Sequence, residues 1–205
     1  MHVTFDDAYE SVANALPILE RLRLPATVFA CSDYANDGRP LDVPELAAEV
    51  AAHPAELATM DWDALRALSE RGLEIGSHTS THPHLTRLAD SELHRELRES
   101  RSRLEDELSR PCRFLAYPYG ENDVRVREAA RRAGYEAAFG LRERFTAPDR
   151  FALPRADLYR RDRPLRARLK TSLLPRIPPR ATMLIRRGKR EAPDPEAGAS
   201  DRQPD

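Results

Sequence analysis

Ala26-Thr27-Val28-Phe29-Ala30-Cys31 is an unbroken apolar run of strand length. A strand with one face in water alternates polar and apolar residues. A run without alternation belongs to a strand covered on both faces, as in a parallel sheet packed by helices. Upstream, Val12, Ala15, Leu16, Leu19 and Leu22 recur at helical spacing, so Tyr9–Leu22 is expected to be a helix, broken by Leu24-Pro25. Before it stands Val3-Thr4-Phe5, β-branched and aromatic, the end of another strand.

Downstream the alternation continues. A long connection over 33–60 is rich in Ala, Pro and Asp and holds one short expected helix, Pro44–Ala52. Asp61–Arg71 reads as a helix stopped by Gly72, and Leu73-Glu74-Ile75-Gly76 as a strand. Asp90–Leu108 reads as a long amphipathic helix with Asp90 as its N-cap. Phe114-Leu115-Ala116-Tyr117 is the next strand, and Asp123–Ala133 a helix stopped by Gly134. Ala137-Ala138-Phe139 and Phe151-Ala152-Leu153 are short strand candidates. Strands alternating with helices imply parallel βαβ units and an α/β fold.

The chain has 205 residues, 40% hydrophobic and 33% charged, with a net charge of -1. That suits one globular domain with an appendage. No apolar stretch is long enough to span a bilayer. Cys31 and Cys112 form no CxxC and sit in apolar runs; buried free thiols are the first reading and a disulfide the second. From Arg160 to Arg190 the chain carries twelve Lys or Arg against one acidic residue, Asp162. This run reads as a solvated basic extension (159–190), with a basic helix at Leu165–Leu174; contact with anionic glycan, a membrane surface or nucleic acid is the alternative. Residues 191–205 have the composition of a disordered tail. A central strand usually runs to about five residues, and few precede Asp6, so further N-terminal sequence is expected upstream. The compartment is left open.

Three polar groups follow strands: Asp6-Asp7, His78-Thr79-Ser80-Thr81-His82, and Tyr119 after Tyr117-Pro118. In α/β sheets ligands bind at that end. The adjacent carboxylates have no Lys or Arg nearby, so they either cap the following helix or await a cation. His-x3-His places both imidazoles on one face if the segment forms a helical turn. One carboxylate and two imidazoles make a facial triad with open positions, suited to zinc, cobalt, nickel or iron. The other Asp is then free to act as a base.

Thr4-Phe5-Asp6-Asp7, then His78-Thr79-Ser80-Thr81-His82, then Tyr117-Pro118-Tyr119-Gly120, in that order, resemble the polysaccharide deacetylase family. This is the NodB-homology domain of carbohydrate esterase family 4, and the motif matches its Tyr-Pro-Tyr-Gly subset. Leu24-Pro25-Ala26-Thr27-Val28-Phe29, Gly72–Thr79 and Ala133-Gly134-Tyr135 agree, and the resemblance covers about residues 3–158. It implies an irregular (β/α) barrel over 1–158 that removes acetyl groups from N-acetylated polysaccharide or oligosaccharide. It implies Asp7, His78 and His82 as ligands of a divalent metal, zinc foremost. It implies Asp6 as general base and the Tyr119 backbone N–H as an oxyanion donor, with Tyr117, Pro118 and Tyr119 along the substrate groove.

The chain departs from the family in three places. Ala8 stands where Gly is usual, tolerable if its φ is negative. Ala116 stands where an Arg often orients the base; Arg155, in Leu153-Pro154-Arg155, is the candidate replacement partner for Asp6. The family's late Leu-x-His, whose His acts as general acid, has no counterpart; in the subset that His can lie upstream of the first motif. An O-acetyl esterase on acetylated xylan is one alternative, and the missing acid and short first strand make a carbohydrate-binding pseudoenzyme another. His84 reads as a loop residue or a donor behind a ligand, and Trp62 as packing. No nucleic-acid partner is expected, and the oligomeric state is left open.

Overall fold

The structure, a computed structural model, describes residues 1–141, 149–156, 158 and 162–171. The chain divides into two units, Met1–Asp157 and Leu158–Asp205. In the second, Pro164–Thr171 is a helix. Residues 159–161 and 172–190 of the expected basic extension, and all of the expected tail, lie outside the described residues.

The first unit is a six-stranded sheet, parallel throughout, with strands in sequence order: β1 (Val3–Phe5), β2 (Ala26–Ala30), β3 (Glu74–Ser77), β4 (Phe114–Ala116), β5 (Ala137–Leu141) and β6 (Leu153–Arg155). Every residue of β2 is buried, as an unalternating apolar run requires. The connecting helices are α1 (Leu16–Leu22), α2 (Ala47–Ala52), α3 (Trp62–Glu70), α4 (Asp90–Leu108) and α5 (Val124–Arg132). Leu65, Leu97, Leu104, Leu115 and Val126 are fully enclosed between sheet and helices. Six strands laid flat would put β1 and β6 about 24 Å apart at the usual strand spacing. Yet Arg155 on β6 bonds Thr4 on β1 at 3.2 Å. The sheet is therefore curled into the wall of a partly open barrel.

Several boundaries differ from expectation for local reasons. The Tyr9–Leu22 segment is a 3₁₀ stretch, Glu10–Ala15, running into α1, where Pro17 occupies the first turn. The N-cap of α4 is Ala89, not Asp90; Glu92 closes the helix start by accepting the Ala89 N–H at 3.2 Å. Asp90 sits in the first turn, where a carboxylate still favours the helix dipole. Asp61 and Asp123 do cap α3 and α5, accepting Ala64 N–H and Val126 N–H, each at 2.8 Å. β6 starts at Leu153, two residues later than expected.

In the 33–60 connection Tyr34, Leu41 and Val43 form a small second core with Cys31, which follows β2. Its far end is tied back by Met60 N–H to Ala8 carbonyl, 2.8 Å. Both cysteines are free and buried. No described helix is long and apolar enough to cross a membrane.

Candidate active site

Because all six strands run the same way, their C-terminal ends share one rim. Asp6 and Asp7 follow β1, His78 follows β3, Tyr117–Gly120 follow β4, and Arg155 ends β6.

Asp7 Oδ1 lies 3.4 Å from His78 Nε2 and 3.4 Å from His82 Nε2. The three ligand atoms lie within 4.8 Å of one another. His78 Nδ1 is 2.8 Å from the Ala116 carbonyl, which takes its N–H and leaves the Nε2 lone pair aimed at Asp7. Asp7 Oδ1 is buried and receives no hydrogen bond. An enclosed carboxylate oxygen without a donor, facing two imidazole nitrogens, is the donor set a divalent cation of the zinc type takes.

The electrostatics agree. Burial alone would raise the Asp7 carboxyl, but the imidazoles of His78 and His82 outweigh it and hold the group below its usual range. Burial, then the neighbouring His78, pushes His82 down to about 4, so its ring stays neutral. Burial would lower His78 as well, but the charges of Asp6 and Asp7 outweigh it and raise that ring.

The His78–His82 segment is not the helical turn that the spacing could have made. Thr79 has φ 74° and His82 φ 63°, both left-handed. The imidazoles meet edge to face, centroids 4.9 Å apart, through an irregular loop. Asp7 (φ 65°), Ala8 (φ 50°) and Tyr119 (φ 58°) are left-handed too. Such conformations cost L-residues about 1–2 kcal/mol each, and strain of this kind gathers where function fixes the backbone. The φ of Ala8 is positive, so the condition under which its methyl would be tolerated at small cost, a negative φ, is not met.

Asp6 carries a guanidinium fork. Arg155 Nη1 donates to Oδ1 at 2.6 Å and Nη2 to Oδ2 at 2.8 Å. Arg155 is itself mostly enclosed and lies over the Phe29 ring. Tyr119 stacks on His84 (4.0 Å, 11°) and meets His82 edge to face at 4.7 Å. Its hydroxyl donates to Glu45 Oε2 at 3.2 Å. His84 Nδ1 lies 3.0 Å from Glu121 Oε2 and its Nε2 3.6 Å from Glu45 Oε1. His84 is thus part of the rim rather than a free loop residue. Gly120 (φ +68°) needs to be glycine: a Cβ there would sit 2.1 Å from Leu141 Cγ.

Tyr117 is different. It is fully buried, and its hydroxyl donates to the Phe151 carbonyl at 2.9 Å. A side chain with no exposed surface cannot line a sugar groove, so Tyr117 belongs to the core. Pro118 is buried as well, which leaves half-buried Tyr119 as the member of the motif that reaches the surface. Trp62 packs, its indole N–H donating to Asn36 at 3.1 Å.

The family model described as polysaccharide deacetylase matches residues 1–138. The chain belongs to the polysaccharide deacetylase family. This family member is 22% identical over 135 residues to YxkH of Bacillus subtilis (strain 168), a match covering 65% of the chain and 42% of that protein. The chain thus spans less than half the length of that relative. Among solved structures, Streptococcus pyogenes deacetylase PplD superposes with a TM-score of 0.66 at 20% identity, over 83% of this chain and 70% of that one. IcaB from Ammonifex degensii gives 0.63 at 22%, over 78% and 67%. A de-N-acetylase from Aggregatibacter actinomycetemcomitans gives 0.58 at 20%, over 75% and 68%. At these identities the structural likeness speaks for the fold.

Glu96 is one functional candidate that sequence reading passed over. It sits inside the apolar stripe of α4, between Leu93 and Leu97, and a carboxylate in that stripe is the signal that could have flagged it.

Proposed function

We propose that the chain is a metal-dependent hydrolase that removes acetyl groups from N-acetylated amino sugars of a polysaccharide or oligosaccharide. The observation that carries this reading is Asp7 Oδ1: buried, without a donor, and 3.4 Å from two imidazole nitrogens. Family membership agrees with it, and the fold relative PplD was solved in complex with acetate, the acid such a reaction releases.

Asp7, His78 and His82 would hold a divalent ion, zinc foremost, with cobalt, nickel or iron also suited to this donor set. When bound, such an ion supplies Lewis acidity, polarising a carbonyl and making water more acidic. Asp6 takes the proton of the attacking water. Arg155 holds that carboxylate by both oxygens, so its orientation is set before substrate arrives. The Tyr119 backbone N–H is the oxyanion donor in this reading, and a donor of this kind is worth about 3 kcal/mol of barrier. The Tyr119 ring, backed by His84, walls the site beside His82.

One observation favours a second reading, an O-acetyl esterase on a polymer such as acetylated xylan. Within these 205 residues no histidine follows His94, so none of them is a late His placed to protonate a leaving nitrogen. An amine cannot depart unprotonated, whereas an alcohol leaves more readily. The test is acetate release from chitooligosaccharide, peptidoglycan and acetylxylan with zinc or cobalt present, and Asp6→Asn and Asp7→Ala as controls. Release from the amide substrates supports the first reading, and release from xylan alone the second. Glycan binding without release from any substrate would leave a carbohydrate-binding protein and overturn both.

A further inference from the structure

We propose that Glu96 is the positioning residue of the His78–His82 loop, acting through that loop on metal affinity; this rests on the reading of the metal site given above. Two left-handed residues, Thr79 and His82, leave the loop without a helical or sheet ladder for its amides. Amides withdrawn from water need partners, and side chains supply all four of these, three on buried residues and one on exposed Thr81. Thr79 N–H donates to Ser77 Oγ at 3.1 Å, and His82 N–H to Thr79 Oγ1 at 3.1 Å. The two between them, Ser80 N–H and Thr81 N–H, both donate to Glu96 Oε2 at 3.0 Å. Thr81 Oγ1 donates to Glu96 Oε1 at 2.8 Å. One carboxylate therefore grips the middle of the loop at three points.

Glu96 is 8% exposed, and among the described residues no Lys, Arg or His lies within ion-pair distance of it. Its partners are loop donors instead. One helical turn on, the fully buried Ser100 Oγ lies 2.7 Å from Ser77 Oγ, so the same face of α4 also fixes the entrance to the loop. A helix is stiff over this span, and it transfers that stiffness to a loop whose own backbone is strained. The imidazoles then stand pre-set around Asp7. Groups that orient metal ligands in this way typically change affinity by about 10–100-fold when removed.

The test compares the whole chain with Glu96→Gln and Thr81→Val. The readouts are Co²⁺ dissociation constants, the Co²⁺ visible absorption spectrum, and amide exchange at Ser80 and Thr81 in metal-free protein. Gln keeps the size but gives up the charge that strengthens these bonds, roughly twofold over neutral ones. Folded E96Q is expected to bind Co²⁺ about tenfold more weakly, with a changed spectrum and faster exchange at both amides. T81V is expected to shift the same readouts less. Folded E96Q with affinity within about twofold of wild type, and an unchanged spectrum, would overturn the proposal while leaving the metal site standing. If E96Q does not fold, T81V decides by the same readouts, and unaltered values overturn it. A wild-type chain that takes up no Co²⁺ overturns the reading of the site itself, and this proposal with it.

Discussion

Arg155 and Asp6 stand 149 residues apart in sequence and form a two-pronged ion pair, at 2.6 and 2.8 Å. The pair joins the last strand of the sheet to the end of the first. It also fixes the carboxylate proposed to work as base. Lys at 155 would keep a charge but lose the planar fork. Hydrogen bonds between charged groups are worth about 1.5–3 kcal/mol. Arg155→Lys is therefore expected to lower the rate of acetate release by about 10–100-fold, with a smaller effect on KM. Steady-state kinetics check this, and melting curves show whether the fold is retained.

Ala8 and Gly120 make a contrasting pair. Ala8→Gly relieves a left-handed strain of about 1–2 kcal/mol. It also removes a buried methyl worth about 0.8 kcal/mol and loosens the unfolded chain by about 0.4–1 kcal/mol. The effects nearly cancel, so stability is expected within about 1 kcal/mol of wild type, which is why alanine is tolerated here. Gly120→Ala adds left-handed strain and drives a Cβ into Leu141. Its expected cost is about 2–5 kcal/mol, strain and overpacking together. Urea unfolding of the two variants measures both.

Metal should act on stability as well as on rate. A ligand that binds the folded state alone stabilises it by about 2.7 kcal/mol at a hundred times its Kd. Zinc or cobalt is expected to raise the melting temperature of wild type and a chelator to reverse the rise. His82→Gln and Asp7→Asn should abolish the response. A calorimetric scan with and without metal checks this; a shift of equal size in the two variants would place the ion elsewhere.

Alkaline pH should weaken the fold through the thiols. Burial pushes Cys112 up to about 12, from an ordinary value near 9. Above pH 9 the unfolded chain loses this proton while the folded chain keeps it, so stability falls as pH rises. Between pH 9 and 12 Cys112 alone contributes a slope of about 1.4 kcal/mol per unit. Burial raises Cys31 too, in the same direction. Cys112→Ala is expected to flatten the wild-type slope by its own share, measured by urea unfolding at pH 8, 9 and 10.

The sequence by itself determined what short-range chemistry can write. The apolar run 26–31 fixed a doubly covered strand, the glycine stops at Gly72 and Gly134 marked the ends of α3 and α5, and the strand-end positions marked Asp7, His78 and His82. Those signals are local because periodicity and capping act over a few residues. Only the tertiary structure decided the rest. The curl of the sheet brought Arg155 to Asp6, core packing took Tyr117 out of the groove, and the positive φ of Ala8 came from the loop it must enter. Glu96 gained its role when α4 folded over the histidine loop. These follow from how strands and helices meet in space, where burial and unsatisfied amides choose partners that no sequence spacing names.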